Sequence, residues 1–186
     1  MKVESISRNS VRVGHTEFEA PNIVIASGVW SNEVKGLDPA IPVEPRKGQI
    51  LSLATPPKPF KRIIRWQRTY FVPRGSGEMI VGATEENAGF DRANTPAGIG
   101  QLLTEAQQIS SHVGAYPILE MWTGLRPATP DHLPILGPSS IPGVFYATGH
   151  YRNGVLLAPV TALIITELVE SGKTTTSIES FLPSRF

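Results

Sequence analysis

Trp122-Thr123-Gly124-Leu125-Arg126-Pro127-Ala128-Thr129-Pro130-Asp131 and, further along, Gly149-His150-Tyr151-Arg152-Asn153-Gly154 are the stretches on which the reading of this chain turns. Ile118 to Leu125 has the pattern of a strand, so Arg126 is expected at a strand end, with a proline behind it. A guanidinium fixed by such a turn suits two-pronged capture of a carboxylate. A surface pairing with a nearby acid such as Asp131 satisfies the same spacing. The second stretch joins a strand candidate, Val144 to Thr148, to a helix that starts near Gly154 and stops at Gly172. Its two glycines let backbone approach a ligand closely, and free amides at a helix start attract negative charge. A plain turn with Asn153 as N-cap is the other reading of these residues.

Working outward, Val155, Leu156, Leu157, Val160, Leu163, Ile164, Ile165, Leu168 and Val169 surround most of that last helix, which predicts a buried one. Asn22 to Ala26 is a short β-branched run stopped by Ser27-Gly28, the mark of a strand covered on both faces. Val11 to Phe18 reads as a hairpin turned at Gly14-His15. Gln49–Leu53, Arg62–Arg65, Thr69–Val72 and Met79–Ala83 suggest an antiparallel sheet, with Arg74-Gly75-Ser76-Gly77-Glu78 as a glycine-rich turn. Thr95 can cap a helix that Pro96 opens. Ile99, Leu102, Leu103, Ala106, Ile109 and Val113 give that helix an apolar stripe, and Gly114 can end it.

Composition removes whole classes of chemistry. The 186 residues carry 17 Lys plus Arg against 16 Asp plus Glu, a net charge of +1 that gives no reason to expect nucleic acid or an anionic membrane as partner. Cysteine is absent, which excludes disulfides, thiolate zinc sites, thiol nucleophiles and thioether-linked cofactors. The four histidines, His15, His112, His132 and His150, have no metal-ligand spacing. No Gly-x-Ser-x-Gly elbow supplies a hydrolase nucleophile. Gly75-Ser76-Gly77 and Gly98-Ile99-Gly100 each lack the third glycine of a dinucleotide fingerprint, Ile80 and Leu103 standing there instead. Met1–Ser10 is polar, and the apolar run Val155–Ile165, broken by Pro159 and Thr161, is short of a membrane span. The expectation is a cytoplasmic protein with no membrane span.

The ordered set Ile25-Ala26-Ser27-Gly28-Val29-Trp30-Ser31, Tyr70-Phe71-Val72-Pro73-Arg74, Val81-Gly82-Ala83-Thr84, Gly124-Leu125-Arg126-Pro127, Gly149 to Gly154, Leu156-Leu157-Ala158-Pro159 and Phe181 to Phe186 resembles the C-terminal part of the D-amino-acid oxidase-like FAD-dependent oxidoreductases. Within them it is most similar to the glycine-oxidising branch of thiamine biosynthesis. The likeness covers essentially the whole chain. It lacks the family's opening strand, Gly-rich turn and helix, so a portion of a larger oxidase is expected, with the N-terminal FAD-binding half as its missing partner. The implied fold class is α+β: an antiparallel-sheet substrate domain joined to the C-terminal part of a glutathione-reductase-like α/β FAD-binding domain. The implied layout is 1–38 for the end of the FAD domain's first pass, 39–119 for the substrate domain and 120–186 for the returning FAD segment.

The resemblance also implies the chemistry: a small amine such as glycine, oxygen and water give glyoxylate, ammonia and hydrogen peroxide. A D-amino-acid dehydrogenase and a non-catalytic fragment without flavin remain alternatives, which peroxide release and flavin absorbance would separate. FAD would be held non-covalently, with Ser27, Gly28 and Trp30 packed beside it. Gly149, Arg152 and Leu156 would also contact it, and Asn153, Gly154 and Val155 would offer backbone amides to its pyrimidine edge. Arg126 would clamp the substrate carboxylate, Tyr70 would donate to it, and Arg152 would line the site. No catalytic acid or base is implied. The chain departs from the family pattern at Arg68, where a histidine is expected, and at Glu85, where an apolar residue is. Val24 and the last helix, left without the missing half, are expected to drive association into a homo-oligomer.

Overall fold

The computed structural model describes residues 2–57 and 59–186. Along the chain run β1 (Ser5–Ser7), β2 (Ser10–Val13), β3 (Thr16–Glu19), β4 (Ile23–Ile25), β5 (Glu44–Ala54), β6 (Ile64–Trp66), β7 (Thr69–Pro73) and β8 (Glu78–Gly82). Then come α1 (Pro96–Ile109), β9 (Ile118–Ala128), β10 (Ile135–Pro138), β11 (Val144–Thr148) and α2 (Gly154–Ser171). Two compact units emerge, Met1–Pro45 with Arg126–Phe186, and Arg46–Leu125. The α+β class read from the sequence is what the chain forms.

In the first unit, β2 and β3 make the expected hairpin, with Val11 opposite Phe18, and β1 extends it to a three-stranded meander. A second sheet has the order β10-β11-β4, in which β11 and β4 are parallel and Phe145 pairs with Val24. Side chains alternate across such strands. Ile23, Ile25, Val144 and Tyr146 therefore share one core with Ile6, Ile41 and Val43, while Phe145 and Leu136 pack on Ile164, Ile165 and Leu168 of α2. Each such fully buried side chain contributes about 1.5–3 kcal/mol. The Tyr146 hydroxyl donates to the Pro39 carbonyl at 2.7 Å, and burial, aided by Asp38, pushes its pKa up to about 12.

The second unit is a five-stranded sheet ordered β6-β7-β8-β5-β9. Leu51, Leu53, Phe71, Met79 and Val81 face Ile99, Leu102 and Ala106 of α1. The Thr95 hydroxyl accepts from the Gly98 amide at 3.1 Å, so the N-cap and Pro96 start α1 as their chemistry demands. Tyr70 lies between Thr69 and Phe71, both completely buried toward α1, and so points to the opposite sheet face.

Several expectations need correction. Helix α1 ends at Ile109, because Ser110 is extended; Val113 belongs to a 3-10 turn and still reaches the same core. Strand β6 sits two residues later than Arg62, and β5 begins at Glu44, five residues before the expected Gln49. Strand β10 has no counterpart in the sequence reading. The largest difference concerns α2, for which the burial expected from its apolar pattern gives way to the uncovered apolar surface expected of it and Val24 as a source of association. Its bounds and its left-handed Gly172 stop are as read, but Val155 is 95% exposed and Leu156 78%. One side of the helix meets the β10–β11 surface and the 178–182 segment, while Leu163 and Val160 face outward with its first turn. Val24 of β4, expected to be covered on both faces, is 42% exposed on the same side of the sheet. By length and composition alone, with 18 residues at a mean hydropathy of 1.6, α2 could cross a membrane.

Candidate functional site

Parallel β4 and β11 finish at the same end of their sheet, and ligands of open α/β sheets gather at that end. After β4 the chain turns through Ser27 into a 3-10 segment, Gly28–Glu33. Buried Ser31 lies with its hydroxyl 2.9 Å from that of Thr148, which closes β11, and Thr148 donates to the Gly28 carbonyl at 3.2 Å. These bonds lock the two strand exits together. Beside them is a largely apolar cavity of about 690 Å³ lined by Ala26, Ser27, Gly28, Trp30, Val3 and Val34. That volume is in the range of small-molecule and cofactor sites.

Gly149 leaves β11 with φ of +75°, and a Cβ there would stand 2.9 Å from the Thr129 methyl, so only glycine fits. The Tyr151 amide donates to the Pro127 carbonyl at 2.9 Å. That bond joins the two stretches that the sequence singles out. Tyr151 stacks on His132, their rings 4.6 Å apart, and the Arg152 guanidinium lies 5.6 Å from the centre of the tyrosyl ring. His150 Nε2 is 2.9 Å from Thr161 Oγ1 of α2; burial lowers the His150 pKa and so favours the neutral ring. Arg126 is half-buried within β9, not at its end as expected. Strand β9 is the sheet edge, which is where a strand tolerates Pro127. Asp131 takes Arg185 as partner at 2.7 Å, and that bond first of all holds its carboxyl below the usual carboxylate range.

Asn153 is the N-cap of α2, but its side chain makes no capping bond, and the first turn holds no acid. The amides of Gly154, Val155 and Leu156 have no intrahelical acceptor by construction of the helix. Gly154 borders a groove of about 390 Å³ shared with Val24, Ala26, Ala147 and Ala158. Backbone donors beside an apolar, roomy strand end form the donor set that a flavin ring system requires: amides for its carbonyl oxygens, apolar walls for its face. In this respect the residues fit FAD. Within the other unit, Tyr70 stands across from Gly82 in the β7–β8 register, with its hydroxyl just over the glycine Cα. No signal in the sequence assigned Ser31 or Thr148 a part in the site or revealed the His132–Tyr151 stack. Single polar residues at strand ends carry no motif, and a ring contact between distant positions leaves no local signal.

Three comparisons bear on these residues. The family model described as FAD dependent oxidoreductase matches residues 1–168. The bifunctional protein ThiO/ThiG of Nostoc sp. is 48% identical over 172 residues, covering 90% of this chain and 26% of that protein. Hydrogen cyanide synthase subunit HcnC of Pseudomonas protegens is 33% identical over 91% of this chain and 41% of its own length. The crystal structure of glycine oxidase from Geobacillus kaustophilus superposes with a TM-score of 0.92 at 31% identity, over all of this chain and 52% of that one. The chain thus spans about half of the solved relative and a smaller share of the curated ones.

Proposed function

The chain belongs to the FAD dependent oxidoreductase family, and from that premise we propose that it serves the oxidation of a small amino acid, glycine first of all, in thiamine biosynthesis. Overall, glycine, oxygen and water give glyoxylate, ammonia and hydrogen peroxide. Bound FAD supplies the two-electron acceptor. The unit Met1–Pro45 with Arg126–Phe186 takes the flavin, and Arg46–Leu125 is the substrate domain. Ser27, Gly28 and Trp30 wall the cofactor. Gly149 gives close approach, and Gly154 and Val155 direct amides at the flavin's pyrimidine edge, where a helix start favours negative charge as it develops. The Asn153 amide donates to the His150 carbonyl at 2.9 Å, so Asn153 borders the cofactor without donating from its backbone. Arg126 pairs two-pronged with the substrate carboxylate, Tyr70 donates its hydroxyl to the same group, and Arg152 closes the rim. No side chain is asked to take the substrate proton, since an amine bound neutral needs no base.

The observation that carries this reading is the Tyr151–Pro127 bond, which ties the arginine strand to the loop that opens an uncapped α2. A cytoplasmic location and self-association go with it; the structural match that supports the family fold includes α2, which favours α2 as a packing helix over a membrane span. The test is Arg126→Lys in the full-length flavoprotein. Loss of one charged two-pronged contact costs about 1.5–3 kcal/mol, a rise in KM for glycine of roughly tenfold to over a hundredfold. Ethylamine, which has no carboxylate, should be indifferent, and the flavin spectrum unchanged. An equal fall for both amines assigns Arg126 a structural part and moves the anchor to Arg152. Lack of peroxide release during turnover refutes the oxidase reading.

A further inference from the structure

Lys47 is 1% exposed, a position where a charge is costly unless paired. Its Nζ lies 2.9 Å from Asp91 Oδ2 and 3.7 Å from Glu86 Oε2. The same residue exchanges backbone bonds with Glu86: its amide donates to the Glu86 carbonyl at 3.0 Å and receives the Glu86 amide on its own carbonyl at 2.9 Å. Two positions along β5, the fully buried Gln49 donates from Nε2 to Glu86 at 2.8 Å and to the Thr95 hydroxyl at 3.0 Å. Its Oε1 accepts from the Thr95 amide at 2.8 Å. The Gln49 amide donates to the Thr84 hydroxyl at 2.8 Å, the Thr84 amide returns to the Gln49 carbonyl at 3.2 Å, and the Thr84 hydroxyl donates to Glu86. Residues 84–95 contain no helix or strand, yet this network straps them to β5 at both ends.

What the strap fixes is the exit of β8. Thr84 is two residues beyond Gly82, the strand end across from Tyr70. A Cβ on Gly82 would stand 2.7 Å from the tyrosyl oxygen, so a small shift of this exit reaches that hydroxyl directly. Buried ion pairs add little net stability over well-packed apolar residues, but they admit one geometry where an apolar contact admits several. Asp91 and Glu86 keep access to water, at 52% and 30% exposed, so they need no buried lysine for their own sake. We infer that Lys47 is a positioning residue: by strapping Glu86 and Asp91 to β5 it sets the β8 exit, and through Gly82 the place of the Tyr70 hydroxyl. The inference rests on the reading of Tyr70 as a carboxylate donor.

Lys47→Met tests it in the full-length flavoprotein, because it removes the charge, keeps the length and leaves both acids solvated. The Thr84 and Glu86 amides should exchange hydrogen at least about tenfold faster, as a local opening does. KM for glycine should rise about tenfold, with ethylamine within about twofold and the flavin spectrum unchanged. In a Tyr70→Phe background the same substitution should change KM for glycine less than about twofold, because coupled residues are not additive. Asp91→Asn should move the same readings in the same direction by less, and it decides the matter if Lys47→Met does not fold. Unaltered exchange at Thr84 and Glu86, or effects that add in the double variant, overturn the positioning. A Tyr70→Phe variant that leaves KM for glycine unchanged refutes the reading of Tyr70 instead. The two failures are distinguishable because the exchange is measured without substrate.

Discussion

Gly82→Ala is the sharpest probe of the substrate face. The new Cβ would lie 2.7 Å from the Tyr70 hydroxyl oxygen, 2.8 Å from Cζ and 3.1 Å from Cε2, where ordinary contact begins at 3.4 Å. The hydroxyl must therefore retreat by about 0.7 Å, the difference between those separations. Gly82 is not among the residues with positive φ, so the backbone accepts alanine and the ring does the moving. Tyr70 is only half-buried and has room to swing, which keeps the cost in stability near the low end of the roughly 1–3 kcal/mol typical of overpacking. Misplacement of a positioning group by an ångström can cost about a hundredfold in rate. A shift of this size should thus raise KM for glycine about tenfold or more, with a fall in Tm of a few degrees. Steady-state kinetics with glycine and ethylamine measure it, with flavin absorbance as the control. The Tyr70→Phe/Gly82→Ala double variant should be no worse for glycine than Tyr70→Phe. KM for glycine within twofold of the parent, at full flavin occupancy, would refute the account of Tyr70 given above.

Three further outcomes are expected. Residues 1–186 alone should bind FAD weakly in equilibrium dialysis, because both glycine pairs lack the third glycine of the pyrophosphate turn; tight stoichiometric binding contradicts this. The same polypeptide should self-associate in analytical ultracentrifugation through the open side of α2, and Leu163→Gln, at a position 51% exposed, should weaken that association; a strictly monomeric parent chain at high concentration counts against it. Asp131→Asn should lower stability near neutral pH by about 1–2 kcal/mol, discounted for the partial exposure of the pair. Since the folded-state carboxyl sits below its ordinary 3.8, the stabilisation is present above that value and is lost as pH falls through the lower folded pKa. Thermal melts of parent and variant should converge in acid, and a gap that persists there removes Arg185–Asp131 as its source.

Local chemistry made most elements legible. Thr95-Pro96 and Gly172 act on a few neighbouring bonds, so the start of α1 and the end of α2 follow from the residues there. The stripe of α1 was readable because a sheet in the same unit covers it. Burial of α2 was not, for a physical reason: an all-round apolar helix states that it dislikes water, not that this polypeptide supplies its cover. Val155 and Leu156 lie at the turn whose amides fit a flavin, and Val24 lies beside the same groove, so the uncovered apolar surface and the candidate site coincide. Arg126 shows the complementary limit. Its residue type and the proline after it pointed to the right strand, but β9 runs on through both, because an edge strand does not require an amide from Pro127. The link between the residue after Arg126 and the second stretch is the Tyr151 amide on the Pro127 carbonyl, a bond between residues far apart in sequence that no spacing within either stretch encodes. Lys47 lies beyond sequence reading altogether. A lysine before Gly-Gln looks like any surface cation until β5 carries it inward and residues 84–95 fold over it with Glu86 and Asp91. Residues whose work is done through long-range packing declare themselves only by a burial that their chemistry should forbid, and among the described residues Lys47, a lysine 1% exposed, is the one that fastens the loop behind Gly82.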